Sequence, residues 1–389
     1  MRSPWLVALM VLGLVCGGPV AAAVAVPAWT VVPSTERDGS TQSQLLAVAC
    51  PSATFCIAVG NYVHGRTEGL IERWNGANWA VMHARNPRGF WYSTLSGIAC
   101  PTTTSCFAVG TWTSYRSGNT LIEHWDGTAW SIMPSPTPAG GYNLQDVACP
   151  SATSCFAVAG YSGGYEGGKT IEHWNGTRWT VMTDTSVGAS ARAALYGVAC
   201  PSANNCFAVG DSNRADLARC PLVEHWTGHG SWKLMDGTPC RGDQPYGPWV
   251  GADLAGVACP TNTSCFSVGW GNDPVFLRWN GRGAWTLQDS PVAGGPGGDT
   301  WPAHVTCTST TSCVAVGQLY IKNDKAWRAL IEQWNGTTWT LGTPPVSPVY
   351  AELFGIACTS DTACEAVGNR PRVSADPAGR THTLVERYG

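Results

Sequence analysis

Charged residues are scarce in this chain, which carries 23 Lys and Arg and 26 Asp and Glu among 389 residues. A formal net charge of −3 provides no basic surface of the kind that holds a phosphate backbone, so we expect no nucleic-acid partner. Long apolar runs are also rare, because beyond the N-terminus no stretch approaches the ~20 apolar residues of a membrane-spanning helix. We therefore expect no membrane span in the mature protein.

Metal-ligand and nucleophile patterns are missing as well. There are only eight histidines, no H-E-x-x-H motif, and no histidine that recurs at zinc-ligand spacing beside the cysteines. Once the cysteines are paired as described below, none remains as a free nucleophile. We therefore assign no catalytic residue, no metal and no cofactor, and expect a protein that binds rather than transforms its ligand.

Glycine, proline, tryptophan and cysteine are abundant instead, with 46, 26, 20 and 17 copies. Such a profile is typical of β-rich, turn-rich proteins. The cysteines belong to a segment that recurs with a period of about fifty residues, in the range of propeller repeats. Its copies read ACPSATFCIAVG, ACPTTTSCFAVG, ACPSATSCFAVAG, ACPSANNCFAVG, ACPTNTSCFSVG, TCTSTTSCVAVG and ACTSDTACEAVG. The chain is therefore predicted to form one repetitive body.

Each repeat unit predicts four short strands. A stretch such as LYGVAC precedes the cysteine turn, CFAVG follows it, TLIEHW comes after a variable segment, and a strand such as WTVM ends the unit. Asn-Gly or Asp-Gly lies between the last two strands in most units and predicts a type I′ turn, in which both residues have positive φ. Four antiparallel strands per unit and seven units predict an all-β, seven-bladed β-propeller.

The two ends of the chain complement each other. The seventh unit stops at TLVERYG and lacks its last strand, whereas AWTVVPS at residues 28–34 matches last strands such as RWTVMTD. We predict that this N-terminal strand completes the last blade and closes the ring, leaving no open sheet edge at the seam. Tryptophans repeat on both sides of the last turn in nearly every unit, which predicts that they form the core between blades.

The cysteines predict a disulfide framework typical of an oxidising compartment. Cys16 lies in the N-terminal segment discussed below, which leaves 16 cysteines, and 14 of these form C-x5-C pairs. The predicted pairs are Cys50 with Cys56, Cys100 with Cys106, Cys149 with Cys155, Cys200 with Cys206, Cys259 with Cys265, Cys307 with Cys313, and Cys358 with Cys364. Pairing of the third and fourth strands in the fourth unit brings Cys220 close to Cys240, so we predict one further bond there.

The first residues predict a secretion signal. MRSPWLVALMVLGLVCGGPVAAAVA has an early arginine, an apolar run and small residues suited to signal peptidase. A lipoprotein signal at Cys16 is the alternative, but Val15 stands where a small residue is required. We predict residues 1–25 as a cleaved signal peptide and residues 26–389 as a single propeller domain that is secreted and monomeric.

The repeats resemble those of secreted actinobacterial repeat proteins without an assigned activity, whose units carry ACPS-x3-C-x-AVG followed by E-x-WNGT-x-W. The resemblance covers residues 29–389 and implies a β-propeller in an extracellular setting, without implying an activity. The units are also distantly kelch-like and Asp-box-like. However, the kelch double glycine is missing from FAVG, and Gly176 directly follows Asn175 where an Asp-box needs a different spacing, so neither function is carried over.

The connections between second and third strands, and those between units, vary along the chain, whereas the cysteine and Asn-Gly turns are nearly constant. In a four-stranded blade the variable connections lie on the face opposite the constant turns, so we predict this face as the recognition surface. Its aromatic rings suit the faces of sugars, although the rings could instead fold down and cap the core. The ligand-binding candidates are Trp91, Tyr92, Trp112, Tyr115, Tyr161, Tyr165, Trp249, Trp270, Trp301 and Tyr320.

Two titratable residues break a rule in the first strands, which line the predicted central channel. Three residues before the first cysteine, five units carry Ala47 or a glycine, while the other two carry Asp146 and His304. These two residues are channel candidates, and substitution at a position that tolerates side chains is the alternative explanation. The Glu-His pairs before the Asn-Gly turns are not considered catalytic, because they repeat around the ring and adjacent strand residues point to opposite faces.

We therefore predict a secreted, non-catalytic binding module that recognises extracellular or cell-wall carbohydrate. The alternatives are a protein–protein interaction scaffold and a carbohydrate-active hydrolase or lyase with its site at the central channel. A scaffold should present a flat aromatic patch, whereas an enzyme should hold two carboxylates about 5 to 10 Å apart in a central pocket.

Overall fold

The protein is built from β-strands and turns. The computed structural model describes residues 27–114, 118–136, 142–161, 169–182, 193–213, 219–235, 252–271, 273–291, 299–322, 325–345, 350–371 and 381–389. Within these ranges the chain forms strands and turns without a helix. Accordingly, this part of the chain contains no helical segment with the length and apolarity needed to cross a membrane.

The strands form four-stranded antiparallel sets, and within each set we call them first to fourth in order of hydrogen bonding. The first strands are β2 (Gln42–Ser52), β6 (Tyr92–Thr102), β10 (Tyr142–Ser151), β14 (Ala193–Ser202), β18 (Asp253–Thr261), β22 (Thr300–Ser309) and β26 (Glu352–Ser360). The second strands are β3 (Phe55–His64), β7 (Ser105–Thr113), β11 (Ser154–Tyr161), β15 (Asn205–Asn213), β19 (Ser264–Trp270), β23 (Ser312–Ile321) and β27 (Ala363–Pro371). The third strands are β4 (Arg66–Trp74), β8 (Gly118–Trp125), β12 (Thr170–Trp174), β16 (Arg219–Trp226), β20 (Pro274–Trp279), β24 (Ala326–Trp334) and β28 (Thr381–Tyr388). The fourth strands are β5 (Trp79–Met82), β9 (Trp130–Ile132), β13 (Trp179–Val181), β17 (Lys233–Leu234), β21 (Thr286–Gln288), β25 (Trp339–Leu341) and β1 (Trp29–Val32).

We number the sets 1 to 7 by their first strands, from β2 to β26. Sets 3 to 7 are separate four-stranded sheets, while sets 1 and 2 share one eight-stranded sheet through a single parallel pair, Thr67 with Tyr92. Set 7 takes its fourth strand from the other end of the chain, because β1 pairs with β28 from Trp29 opposite Tyr388 to Val32 opposite Val385.

Burial differs between the strand positions in the way their sequences suggest. Eight consecutive residues of β3, from Phe55 to Tyr62, are buried, because a second strand is covered by neighbouring sets on both faces. A continuous apolar run such as CIAVG is typical of that environment. The fourth strands are short, and in β9 and β25 only the leading tryptophan is buried. The second strands therefore carry the core, and the fourth strands form the outer edge.

Neighbouring sets pack face to face through apolar clusters. Ile57 and Val59 of set 1 share one cluster with Leu95 and Ile98 of set 2. On its other side, set 1 packs against set 7, because Leu45 belongs to a cluster that includes residues of β27 and β28. The first set in the chain therefore contacts both the second and the last.

The repeated tryptophans are core residues, as their repetition predicted. Across each last turn the third- and fourth-strand rings lie in contact, with Trp74 and Trp79 at 6.0 Å and Trp125 and Trp130 at 5.9 Å between centroids. In set 7 the pair is Tyr388 with Trp29, at 5.4 Å. Burying such aromatic pairs supplies a large apolar area in each set.

The Asn-Gly turns lie where the sequence placed them, but the predicted type I′ conformation is wrong. Trp74 pairs with Trp79, so the loop has four residues rather than two. Gly76 has φ 96°, whereas Asn75 is not among the residues with positive φ. Instead, Asn75 Oδ1 accepts hydrogen bonds from the backbone N–H groups of Ala77 and Asn78 at 2.9 and 3.0 Å. The asparagine is thus selected for its side-chain acceptor, and only the glycine for its backbone.

The predicted disulfides of the C-x5-C pairs are present. Their Cα atoms lie 4.0–4.1 Å apart, across the turn between first and second strands. Cys220 is also disulfide-bonded, while its predicted partner Cys240 lies outside the described residues. Such a disulfide framework is typical of proteins outside the reducing cytosol.

The first strands approach one another closely near their middle. Each carries a β-bulge there, such as the register shift between Leu195 and Gly197. A Cβ atom on Gly197 would lie 3.1 Å from Cα of Gly256 in the next set, and one on Gly355 would lie 2.8 Å from Cα of Ala47. The position therefore does not tolerate side chains freely, which contradicts the explanation of Asp146 and His304 as drift at a permissive site.

Candidate functional site

The two ends of the sheets differ in character. At the end we call the constant end, the cysteine turns and the Asn-Gly turns lie side by side. In sets 1, 2, 3 and 6 the third-strand tryptophan ties these turns together by donating its indole N–H to a cysteine-turn carbonyl. The donor–acceptor pairs are Trp74 with Ala53, Trp125 with Thr103, Trp174 with Ala152 and Trp334 with Thr310, at 3.1–3.3 Å. The opposite end, which we call the variable end, carries the connections that differ between sets.

The predicted ligand-binding rings are distributed unevenly at the variable end. Trp91 is 54% exposed and Trp301 is 40% exposed. Four further candidates are partly exposed, namely Tyr92, Trp112, Trp270 and Tyr320. Trp112 packs against the apolar cluster between sets 1 and 2. This ring therefore covers the core, which is the alternative role considered for the aromatic residues of this face. Tyr161 ends β11, where only its backbone is described, and Tyr115, Tyr165 and Trp249 lie outside the described residues.

Set 6 brings three rings together, which we call the aromatic cluster: Trp301, Tyr320 and Trp327. Trp301 lies 4.7 Å from Trp327 between ring centroids, and Tyr320 lies 5.1 Å from Trp327. Strand pairing sets this geometry, because Tyr320 is directly opposite Trp327 and Trp301 is opposite Gln318, two residues earlier on β23. All these side chains therefore emerge on one face of the sheet.

Among the residues that the structure describes, the aromatic cluster has no counterpart in the other sets. The position of Trp301 is occupied elsewhere by polar or small residues: Gln44, Thr94, Asn143, Ala194, Asp253 and Glu352. Tyr320 and Trp327 are opposite each other in set 6. The equivalent cross-strand pair in set 1 is Val63 with Thr67. Aromatic residues that stabilise the repeated fold recur from set to set, as the third- and fourth-strand tryptophans do. The rings of the aromatic cluster do not recur, so the fold does not account for them.

Polar groups accompany the aromatic cluster. Gln318 lies opposite Trp301, and its side-chain carbonyl oxygen is buried without a hydrogen-bond partner. Tyr350, 44% exposed, joins the cluster from the next connection, because its backbone N–H donates to the Trp327 carbonyl at 2.7 Å. The Tyr350 hydroxyl donates to the Lys325 carbonyl at 3.3 Å. Ring faces next to amide and hydroxyl groups form a surface that can bind both apolar faces and hydroxyls.

A second feature of the variable end is a polar pocket of about 130 Å³ in set 1. The Tyr62 hydroxyl donates to Glu68 Oε2 at 2.7 Å, and Arg66 Nε donates to Glu68 Oε1 at 3.2 Å. Asn86 lies at the same carboxylate, at 3.5 Å from Oε2, and the Arg37 guanidinium is 5.6 Å from the Tyr62 ring centroid. Sequence reasoning missed this pocket, because its residues come from three different connections without a common motif.

Electrostatics in the polar pocket hold the phenol protonated. Burial and, to a lesser extent, the hydrogen bond to Glu68 together raise the pKa of Tyr62 to about 12, while Arg37 acts in the opposite direction. On the outer side, the Arg66 guanidinium stacks 3.9 Å above the Phe90 ring, next to the exposed Trp91. The polar pocket thus offers a phenol, a carboxylate and guanidinium groups to a hydroxyl-bearing ligand.

The channel candidates do not form a common site. Asp146 Oδ1 accepts a hydrogen bond from its neighbour Val147 N–H at 2.8 Å, and Oδ2 accepts one from Val198 N–H of set 4 at 2.9 Å. Burial raises the pKa of Asp146 to about 6, and these two bonds oppose the shift. His304 lies in set 6, where burial lowers its pKa to about 4 and Nδ1 has no partner. The structure therefore explains Asp146 as a link between two sets.

The glutamates before the constant turns are fully buried and belong to the set interfaces. Glu172 accepts hydrogen bonds from Ser135, and Glu332 accepts one from Ser290, in each case from the segment that leaves the preceding set. Burial raises the pKa of Glu123 to about 8 and that of Glu172 to about 7. Raised carboxyl pKa values often mark catalytic acids, but here the same arrangement recurs from set to set.

One stretch matches two catalytic motifs by sequence alone. Residues 163–170 read GGYEGGKT, the phosphate-binding pattern, and residues 160–164 read GYSGG, the nucleophile-elbow pattern. Both motifs require a strand followed by a helix, whereas the element after β11 is the strand β12. Lys169 is buried and forms a 2.5 Å ion pair with Glu224 of the next set, and residues 162–168 lie outside the described ranges. Neither motif has the structural context that its function needs.

The described residues contain no cluster of three or more His, Cys, Asp or Glu side chains that could hold a metal ion. The candidate site presents aromatic faces and hydrogen-bonding groups. Such a surface is suited to recognition of a ligand with apolar faces and hydroxyl or amide groups.

Solved structures with the same architecture cover nearly the whole chain. YCF48 from Cyanidioschyzon merolae is 15% identical, with a TM-score of 0.53 over 93% of this chain and 98% of that protein. YCF48 bound to D1 peptide is 13% identical, with a TM-score of 0.54 over 92% and 97%. The GH74 xyloglucanase from Xanthomonas campestris is 11% identical, with a TM-score of 0.53 over 92% of this chain and 55% of the enzyme.

These neighbours are β-propeller proteins, and at such low identity the likeness shows the fold alone. No protein-family model matches the sequence, and no curated protein sequence matches it either. The chain is therefore an all-β protein with the architecture of a β-propeller.

Proposed function

We propose that this protein is a secreted, non-catalytic binding module that recognises extracellular or cell-wall carbohydrate through its variable end. The observation that carries the proposal is the aromatic cluster of Trp301, Tyr320 and Trp327, which is partly exposed and has no equivalent among the described residues of the other sets. Sugar rings present C–H faces that stack on aromatic rings, while their hydroxyls need polar partners nearby. Gln318, opposite Trp301 on β23, and Tyr350, whose backbone N–H donates to the Trp327 carbonyl, supply such partners.

The scaffold under this proposal is a single seven-bladed propeller made by residues 26–389. Each set is one blade, and the pairing of β1 with β28 closes the ring. The packing of set 1 against both set 2 and set 7 supports this arrangement, since a ring requires it. An electron-density map of the purified protein counts the blades directly, and an open arc instead of a ring would contradict the proposal.

Secretion is part of the same proposal. We assign residues 1–25 to a cleaved signal peptide, and the disulfide bonds support an oxidising destination. N-terminal sequencing of the protein recovered from culture medium tests the cleavage site near residue 26.

Two other functions are favoured by the neighbours' names. YCF48 is seen bound to a D1 peptide, which suits a protein-interaction scaffold, and the GH74 neighbour is a xyloglucanase, which suits a hydrolase. A peptide ligand would also use exposed rings such as Trp91. A hydrolase would need paired carboxylates near the channel, where Asp146 is already held by two backbone N–H groups.

The experiment is a pull-down of the purified secreted protein on insoluble polysaccharides and cell-wall preparations, with assay of the supernatant for released sugar. Retention without sugar release supports the proposal. Trp301→Ala should then weaken retention about tenfold or more, as expected for an exposed aromatic anchor. Sugar release would favour the hydrolase, and absence of retention on every preparation would favour the protein scaffold.

A matched control comes from the outer edge of the same set. Leu341 on β25 is 52% exposed and lies on the fourth strand, away from the aromatic cluster. Leu341→Ala removes a similarly exposed apolar side chain, so it should leave retention unchanged. Equal loss in both variants would show that the aromatic cluster is not the binding surface.

A further inference from the structure

One position on the second strands separates set 7 from the others. The residue after the second cysteine is Ile57, Phe107, Phe156, Phe207, Phe266, Val314 or Glu365. In sets 2 to 5 the phenylalanine packs against the third-strand tryptophan of the next set, with ring centroids 4.9–5.8 Å apart. This side chain therefore fills the space between neighbouring sets near the constant end. In set 7 that space receives a carboxylate.

Glu365 is buried, with 5% of its surface exposed, and is held on one side only. Arg387 pairs with Glu365 Oε1 through Nε, at 2.5 Å, and through Nη2. The same guanidinium lies 3.8 Å from the Trp74 ring centroid in set 1, so it is fixed between the carboxylate and the indole. The second carboxylate oxygen, Oε2, is buried and has no hydrogen-bond partner.

An unpartnered carboxylate oxygen in this position is costly. Burial raises the pKa of Glu365 to about 7, and Arg387 opposes the shift. Buried polar atoms in proteins are nearly always hydrogen-bonded, and the exceptions often have a ligand or a functional role. Glu365 Oε2 would therefore be stabilised by a hydrogen-bond donor that the described side chains do not supply.

The space beside Glu365 is a pocket of about 190 Å³, which we call the seam pocket. Apart from Glu365 and Arg387, its walls are mainly apolar: the Cys50–Cys56 disulfide, Ala357, Ala363 and the Tyr388 ring. The exposed residues Thr359 and Gly389 border it, so it is reached from the constant end. An apolar cavity of roughly 150 Å³ is large enough for a benzene-sized molecule.

We propose that the seam pocket binds a small organic ammonium ion, with its N–H group donating to Glu365 Oε2 and its apolar body lying against the disulfide, the alanines and Tyr388. Arg387 also lines the pocket, but its guanidinium is engaged by Glu365 Oε1 and the Trp74 ring, which leaves Oε2 as the acceptor for a donor group. A metal ion finds too few ligands, because the described residues contain no cluster of three acidic, histidine or cysteine side chains. A neutral apolar ligand would fill the volume but leave Oε2 desolvated and unpaired.

Benzylammonium is a suitable probe because it combines a single ring with one ammonium group, and benzyl alcohol is its neutral counterpart. Titration calorimetry at pH 8 keeps Glu365 ionised and the alkylammonium charged. We expect saturable binding of benzylammonium. Benzyl alcohol should bind with an affinity at least about tenfold lower, because a hydrogen bond between two charged groups is stronger than one from a neutral donor. Equal affinity for the two probes would overturn the proposal.

Two variants locate the site. Glu365→Gln keeps the size of the side chain and removes its charge, so the affinity for benzylammonium should fall about tenfold or more. The double variant Glu365→Phe with Arg387→His rebuilds the ring pair of sets 2 to 4, such as Phe107 and His124 at 4.5 Å, and should fold normally while its pocket is filled. Wild-type binding by either variant would show that benzylammonium binds elsewhere.

Discussion

The buried glutamates of the third strands show how one residue type serves the whole interface between sets. Glu72, Glu123, Glu172, Glu224, Glu332 and Glu386 are fully buried. In set 5 the position is taken by Leu277, which is also buried, so an apolar side chain fits the space equally well. The carboxyl is therefore retained for its hydrogen bonds, which reach across to the segment leaving the preceding set. Thr120, Ser135 and Glu172 form one such chain, with 2.6 Å between the two hydroxyls and 3.0 Å from Ser135 to the carboxylate.

At this scale we predict that Ser135→Ala destabilises the protein by about 1–2 kcal/mol, because it leaves a buried carboxyl without its side-chain donor. The hydrogen bond from Ser135 lowers the pKa of Glu172, so the variant should also raise this pKa further. Chemical denaturation at pH 7 measures the change in the free energy of unfolding. Ser131→Ala, at an exposed position of β9, is the control and should be nearly neutral. A loss of the same size in both variants would contradict the role of the Ser135–Glu172 bond.

The hydrogen bonds between these glutamates and the preceding set could not be predicted from residue identity alone. Repetition of Glu in the sequence indicated a structural role, but the partner serine lies outside the repeated motif and in the preceding set. Burial of the carboxyl and its distance to Ser135 follow only from how closely two sets pack. The sequence therefore predicted that the glutamates are not catalytic, without predicting what they bind.

At the scale of the element, the constant turns combine a side-chain acceptor with one strained backbone position. Asn335 Oδ1 accepts hydrogen bonds from Thr337 N–H, Thr337 Oγ1 and Thr338 N–H at 2.8–3.0 Å. Gly336 has φ 99°, and a Cβ atom there would lie 3.1 Å from Thr311 in the adjacent cysteine turn. The turn is thus shaped by its neighbour as well as by its own sequence.

We expect Asn335→Ala to cost about 1 kcal/mol, since it removes the acceptor that organises the loop. Gly336→Ala should cost about 1–3 kcal/mol, because positive φ and the close approach of Thr311 both oppose a methyl group. Thermal unfolding of the two variants tests whether Gly336→Ala is the more destabilising. Leu341→Ala, at an exposed position on the following strand, is the control. A Gly336→Ala variant as stable as Leu341→Ala would contradict the turn geometry.

The sequence located each turn correctly but assigned the wrong conformation to it. Asn-Gly is compatible with both a two-residue type I′ turn and a four-residue loop closed by the asparagine side chain. The choice depends on the register of the flanking tryptophans, Trp334 opposite Trp339, which pack between neighbouring sets. A local motif cannot specify a register that is set by packing with another part of the chain.

At the scale of the whole molecule, buried carboxyls and histidines make stability depend on pH in opposite directions. Burial raises the pKa values of Glu72 and Glu123 to about 8 and those of Glu172 and Glu332 to about 7. A carboxyl with a raised pKa binds more protons in the folded state, so its contribution to stability is lost as pH rises through the folded pKa. Burial lowers the pKa values of His124, His173 and His225, so their contribution is lost as pH falls below about 6.5.

We therefore predict that the melting temperature falls between about pH 6.5 and 8.5, where the carboxyls ionise and the histidines are already neutral. The Glu123→Gln variant cannot ionise at this position, so its melting temperature should fall less over the same range. Scanning calorimetry of both proteins at several pH values measures the two slopes. Identical slopes would show that Glu123 does not titrate in this range.

The sequence by itself determined the repeat, the strand order within each set, the pairing of the C-x5-C cysteines and the strand-forming match between the two ends of the chain. These features depend on contacts over short spacings, such as the six-residue separation of Cys149 and Cys155, and on a pattern that repeats often enough to be read. The tertiary structure decided which side chains meet between sets. Trp301 and Trp327 are brought together by strand pairing, and Arg387 lies between Glu365 of set 7 and the Trp74 ring of set 1. Such contacts depend on packing distances and side-chain volumes at the set interfaces, and the repeat pattern carries no record of them.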